Sequence, residues 1–142
     1  MSRFLRVDGG VGGPAANSVR IVDDFEIETV RDERHAVVLV VGELDAATAP
    51  RLREELVVLC EEGIDRIVLD CRRLAFVDSF GLGVIVAAKK RLSQQGNALC
   101  LVAGDEQRTL RRLLEITGLD RLLPVHATVA EAVEDCLREH AA

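Results

Sequence analysis

The stretch Phe76-Val77-Asp78-Ser79-Phe80-Gly81-Leu82-Gly83-Val84-Ile85-Val86 sets a hydroxyl between a carboxylate and two glycines, at the head of an apolar run with helical spacing. A serine at a helix start has a plain structural use as an N-cap. The glycines point further. Each costs about 1 kcal/mol relative to alanine inside a helix, an expense that packing alone does not require, so something must approach that backbone closely. A helix N-terminus bears about half a positive charge and free N–H groups, so it would stabilise a phosphate on Ser79. Glycines beside the hydroxyl would leave it open to a second protein's active site.

Other chemistries fit these residues less well. Ser79-Phe80-Gly81 matches the second half of a G-x-S-x-G nucleophile elbow, but position 77 is Val and the chain is short for an α/β-hydrolase. A triad of Ser79, Asp120 and His126 has the required chain order, yet His126 reads more naturally as an ordinary loop histidine. Gly81-x-Gly83 could open a dinucleotide fingerprint, but Val86 stands where the third glycine belongs, and Phe76-Val77-Asp78 is a poor match for the long buried strand required. No P-loop occurs. A receiver domain would need a lysine ending its last strand, and Lys89 and Lys90 both fall in a helical segment.

The elements that position Ser79 follow from periodicity. Residues 25–30 alternate apolar and acidic like a half-exposed strand. Residues 36–41 form a β-branched run like a buried one, and the two can pair through residues 31–35. Thr48 can cap a helix in which Leu52, Leu56 and Leu59 share a face and which Gly63 ends. A strand follows at 66–71, then the helix 79–95 stopped by Gly96, with Lys89, Lys90 and Arg91 complementing its dipole. Residues 98–103 form the next buried strand. Asp105 then caps a helix carrying Leu110, Leu113 and Leu114 up to Gly118, and a short strand spans 122–125. Thr128 and Glu131 make a capping box for a last helix bearing Val129, Val133, Cys136 and Leu137. Alternating strands and helices mean an α/β fold with a mainly parallel sheet.

The chain has 142 residues, 49% hydrophobic and 30% charged, which suits one globular domain stable without metal or disulfide. Residues 1–24, with Gly9, Gly10, Gly12, Gly13 and Pro14, read as a flexible leader, and the domain runs over 25–142. A net charge of -6, two lysines and no Trp or Tyr argue against a nucleic-acid surface. The one basic cluster, Arg108, Arg111 and Arg112, pairs naturally with Glu115 as a solvated helix face. No apolar run is long enough to span a bilayer, and the stretch around Arg3 and Arg6 shows no apolar core of a signal peptide, so a soluble protein is expected. Cys60, Cys71, Cys100 and Cys136 show no C-x-x-C pair and no His at metal-ligand spacing, so buried structural thiols are expected, in a cytoplasmic, reducing setting.

These residues resemble a known family. Val77-Asp78-Ser79-Phe80-Gly81-Leu82-Gly83 is similar to the D-S-x-G-L-G signature of anti-sigma factor antagonists, which have STAS domains. Val41-Gly42-Glu43-Leu44-Asp45-Ala46-Ala47-Thr48-Ala49 resembles the G-E-L-D element before their first helix, and Ile116-Thr117-Gly118-Leu119 matches a third segment. The resemblance covers residues 25–137. It implies a STAS fold: four or five strands, mixed but mainly parallel, packed with about four helices.

It also implies a regulatory binding protein rather than an enzyme, with no cofactor, metal or catalytic residue. Unphosphorylated, it would bind an anti-sigma factor that is also a serine kinase, so releasing the sigma factor. Phosphorylation at Ser79 would break the complex, and a metal-dependent serine/threonine phosphatase would restore binding. Asp78, Gly81, Leu82 and Gly83 would lie at the interface, and Asp45 in the loop beside it. Phe80 departs from the family, where a small residue often follows the acceptor. It reads either as an exposed apolar anchor for the partner or as a buried residue fastening the helix start. A STAS scaffold, or an accessory subunit of a signalling assembly or transporter, is the alternative function.

Overall fold

A computed structural model describes residues 24–141. The expected leader lies outside the described residues, apart from Asp24. Strand β1 (Glu26–Arg31) pairs antiparallel with β2 (His35–Leu44), as the sequence predicts. Their turn is held by Asp32, whose Oδ1 accepts the N–H groups of Arg34 (2.9 Å) and His35 (2.7 Å). Helix α1 (Ala49–Glu61) leads to β3 (Arg66–Val77), α2 (Ser79–Gln94) to β4 (Ala98–Val102), and α3 (Arg108–Thr117) with the short α4 (Leu119–Leu122) to β5 (Val125–His126). Helix α5 (Val129–Ala141) follows. The five strands lie in sequential order β1 to β5, and every pair after the first is parallel.

Period-two alternation divides the core into two layers. Ala36, Val38 and Val40 of β2, Ile67, Leu69 and Cys71 of β3, and Leu99 and Leu101 of β4 face one way. They pack with Leu52, Leu56 and Leu59 of α1, Leu82, Ile85 and Leu92 of α2, and Leu114 of α3. Val68, Cys100 and Val102 face the other way, onto Ala132 and Cys136 of α5. Helices α1 to α4 therefore share one face of the sheet and α5 covers the other.

Several elements differ from the sequence expectations. β3 continues past 71 to Val77, although Arg72 and Arg73 break the apolar run. Beyond Asp70 it pairs with β2 alone, so charged side chains can stand there exposed. The Nε2 of Gln107 takes the place of a neighbouring strand, donating to the carbonyls of Cys71 (2.8 Å) and Leu74 (3.4 Å). The residue capping α3 by position is thus Gln107 and not Asp105, and its Oε1 accepts the Gly104 N–H. Leu119–Leu122 forms a helical turn that reaches the start of the strand expected at 122–125, which makes five helices among the described residues and leaves β5 only Val125–His126. Gly118, in the left-handed region at φ 78°, makes that break between α3 and α4.

Arg111 is a further correction. It is not on a solvated face beside Glu115; its guanidinium donates to the carbonyls of Ala103 (2.5 Å) and Gly104 (3.2 Å) at the end of β4. The thiols mostly meet expectation: Cys71, Cys100 and Cys136 are buried, while Cys60 is half-buried near Arg91. Burial pushes the pKa of Cys60 and Cys71 up, and at Cys60 the Arg91 guanidinium opposes the shift. A water-soluble maleimide should therefore label Cys60 first in the reduced, folded protein, and the other three at least about tenfold more slowly, since reaction requires an accessible thiolate. Peptide mapping after timed labelling checks this, and fast labelling of Cys71 with the fold intact would contradict its burial.

Candidate functional site

Helix α2 begins at Ser79, but its cap is Asp78. That residue is extended (φ -112°, ψ -172°), and its Oδ1 accepts the N–H groups of Phe80 (2.9 Å) and Gly81 (3.1 Å). A carboxylate both caps and answers the helix dipole, so it takes the position the sequence reading offered to the serine. Ser79 is the first helical residue, exposed, with its hydroxyl spared from capping. Asp78→Ala should lower stability by about 0.5–2 kcal/mol, whereas Ser79→Ala should stay within about 0.5 kcal/mol of the parent. Urea denaturation of both variants measures this, and the reverse order would make Ser79 the cap.

The end of β2 holds this corner in place. The Asp78 N–H donates to the Leu44 carbonyl (3.1 Å), and Leu44 lies opposite Val77 in the parallel ladder. A Cβ on Gly81 would come within 2.7 Å of Leu44 Cγ and 3.0 Å of its carbonyl oxygen. The close approach expected at the glycines is therefore internal at Gly81. Gly83 is exposed, and among the described residues outside its own helical turn a Cβ there would meet nothing within 4 Å. Leu82 is buried in the core. Of the expected contact residues, Gly81 and Leu82 thus serve the interior, while Ser79, Phe80 and Gly83 form the surface.

The loop after Leu44 stands beside them. Asp45 Oδ1 accepts the N–H groups of Ala47 (3.0 Å) and Thr48 (3.1 Å), so this carboxylate shapes its own turn. Thr48 occupies the cap position of α1 but makes no side-chain cap. Its hydroxyl donates to the Glu43 carbonyl (2.7 Å) and accepts the Asp45 N–H (2.9 Å), which corrects the expected cap. The turn leaves Glu43, Ala46 and Ala47 exposed.

Phe80 is 62% exposed, which decides between its two readings: it is a surface residue and does not fasten the helix start. Phe76, near the end of β3, is 51% exposed and was not singled out from sequence. Its signal was an aromatic residue beside Arg72 and Arg73, on a strand half with no partner on the β4 side. A groove between that half of β3 and α3, lined by Phe76, Val77, Arg108 and Leu110 among others, runs up to it.

Comparison with known proteins bears on this corner. The STAS domain family profile matches residues 26–132, from β1 into α5 and across the whole Ser79 corner. The chain belongs to the STAS domain family. It is 38% identical over 105 residues to the anti-sigma-B factor antagonist of Bacillus subtilis (strain 168), covering 73% of this chain and 93% of that one. Identity to the protein of that name from Listeria monocytogenes is 41% over 96 residues, 67% of this chain and 82% of the other. The crystal structure of an anti-sigma factor antagonist from Mycobacterium paratuberculosis matches with a TM-score of 0.72 and 26% identity, covering 81% of this chain and 96% of that one.

The STAS domain does not assemble the rival triad. His126 pairs with Val102 in the parallel ladder and so faces α5, on the side of the sheet away from α2. Its Nε2 lies 2.9 Å from Asp135 Oδ2. His126 is thus a paired strand residue, not the loop histidine of the sequence reading. Among the described residues the sheet order never reverses, so they form no switch-point crevice of the kind at which a doubly wound sheet binds a dinucleotide. Among the described residues, one group could hold a metal ion: Cys100, His126 and Asp135, whose donor atoms all lie within 4.8 Å of one another. Their spacing in sequence gave no sign of it, because three separate elements bring them together.

Proposed function

We propose that this STAS domain is an anti-sigma factor antagonist, a regulatory binding protein that is switched by phosphorylation at Ser79. The observation that carries the reading is an exposed hydroxyl at the first position of α2, flanked by an exposed phenylalanine and an open glycine, with the capping duty already met by Asp78. The names of the relatives, which align over most of their length, supply the partner class. In the unphosphorylated state the Ser79 corner, with Phe80, Gly83 and the Asp45 loop, docks on an anti-sigma factor with serine kinase activity, and the sigma factor is released. In the transfer step Ser79 Oγ attacks the γ-phosphorus of ATP held by that partner. The Oγ–P bond forms, the bond to the β–γ bridging oxygen breaks, ADP leaves, and the hydroxyl proton passes to a base on the kinase. A metal-dependent phosphatase returns the serine.

The negative switch follows from the new charge. Phosphate adds about -1.5 to -2 charges beside the Asp78 carboxylate, which already occupies the first N–H groups of α2. The phosphate therefore finds its helix terminus in part taken and projects its charge towards the docked partner. One unit-charge repulsion at about 4 Å is worth roughly 1–4 kcal/mol, and inverting a population from about 1:99 to 99:1 needs roughly 5.5 kcal/mol. Steric exclusion and phosphate desolvation in the closed interface supply the difference. The test is incubation with the cognate kinase and ATP, followed by intact mass and peptide mapping. One phosphate on Ser79 and none on Ser93 is the expected result; phosphate on Ser93 with Ser79 unmodified would overturn the assignment.

A further inference from the structure

The face of the sheet away from Ser79 gathers donors of a different kind. Cys100 comes from β4, His126 from β5, and Asp135 and Cys136 from α5. His126 Nε2 is 2.9 Å from Asp135 Oδ2, and Cys100 Sγ is 3.7 Å from the same oxygen. Cys136 Sγ lies 3.0 Å from Cys100 Sγ. We propose that Cys100, His126 and Asp135 form a binding site for one divalent transition-metal ion of the zinc type, with the Cys136 thiol beside it as a fourth donor.

Metal–ligand bonds of about 2.3 Å to sulfur and 2.0–2.2 Å to nitrogen and oxygen place neighbouring ligand atoms of a tetrahedron roughly 3.3–3.8 Å apart. The Cys100–Asp135 separation already has that value, and the His126–Asp135 pair needs to open by only a few tenths of an ångström. Cys136 would swing away from Cys100 to join. Thiol and imidazole donors select zinc, or cobalt in its place, over magnesium and calcium, which prefer oxygen alone. The cysteines are buried, while the side chains of His126 and Asp135 are 22% and 20% exposed, so an ion would enter from their side. A hydrogen bond between His126 and Asp135 explains those two residues but gives no reason for the Cys100 thiol to lie against the same carboxylate. Binding replaces the thiol proton of Cys100, which passes to solvent, so affinity falls as pH is lowered. The ion would clamp α5 to β4 and β5 and stabilise the folded state over the unfolded one.

The full chain, stripped of metal and kept reduced, should be titrated with zinc(II) against a chromophoric chelator and, separately, with cobalt(II). One equivalent of zinc is expected, with a raised melting temperature. Cobalt should give a thiolate-to-metal charge-transfer band and the visible absorption of a tetrahedral site, a readout that needs no variant. Cys100→Ser and His126→Gln should each weaken zinc binding by at least about tenfold, as loss of a coordinating or supporting group does, with circular dichroism confirming that they fold. Absence of stoichiometric zinc binding, a cobalt spectrum without the thiolate band, or unchanged affinity in both folded variants would overturn the proposal.

Discussion

Gly81→Val should cost the fold about 1–3 kcal/mol or more, whereas Gly83→Ala should gain about 1 kcal/mol and yet weaken partner binding. The two glycines lie two positions apart on α2 and meet opposite surroundings. At Gly81 the first added carbon falls 2.7 Å from Leu44 Cγ, 2.8 Å from its Cδ2 and 3.0 Å from its carbonyl oxygen. Leu44 is fully buried, and its carbonyl is tied to the Asp78 N–H, so neither can yield without disturbing the corner that carries Ser79. At Gly83 an added carbon would meet nothing within 4 Å among the described residues outside its own helical turn, so alanine removes only the entropic cost of glycine in a helix. The fold gains nothing from Gly83. In the proposed complex Gly83 faces the partner, so a methyl group there should lower affinity for the anti-sigma factor. Denaturation midpoints and calorimetric affinities for the two variants test this. A Gly81→Val protein as stable as the parent would refute the close approach, and a Gly83→Ala protein that binds normally would remove Gly83 from the interface.

Much of this arrangement was readable in the sequence because it rests on short-range signals. The alternating run of β1, the continuous apolar runs of β2 and β4, the leucine stripe of α1 and the Thr128 cap of α5, whose hydroxyl accepts the Glu131 N–H (3.1 Å), all hold. What escaped depends on contacts distant in the chain. Arg72 and Arg73 break an apolar run, and only the absence of β4 alongside the second half of β3 explains why the strand survives them. Gln107 looks like a surface residue until its amide is seen to satisfy the Cys71 and Leu74 carbonyls. At the functional corner, residue types and order were sufficient to single out Ser79, but the choice of cap between two adjacent polar residues was not. Asp78 wins through the extended backbone that β3 imposes on it. The cluster of Cys100, His126 and Asp135 left no trace in spacing, since β4, β5 and α5 meet only in the folded sheet.

The largest functional effect should come from Ser79 itself. With Asp78 as the cap, Ser79→Ala removes no hydrogen bond that the helix needs, so this variant should bind the anti-sigma factor as the parent does and stay insensitive to the kinase. It would be a permanent antagonist. Ser79→Glu should bind more weakly, though incompletely so, because a carboxylate carries less charge and fewer acceptor oxygens than phosphate. Both should keep the parent circular dichroism, since the site is exposed and no core contact changes.

The decisive measurement is the affinity of the isolated anti-sigma factor, by calorimetry, for the unmodified protein and for protein carrying one phosphate at Ser79. A phosphate should raise Kd by at least about a hundredfold, corresponding to roughly 2.8 kcal/mol, while circular dichroism stays constant. Equal affinities for the two forms would show that phosphorylation at Ser79 does not control the complex.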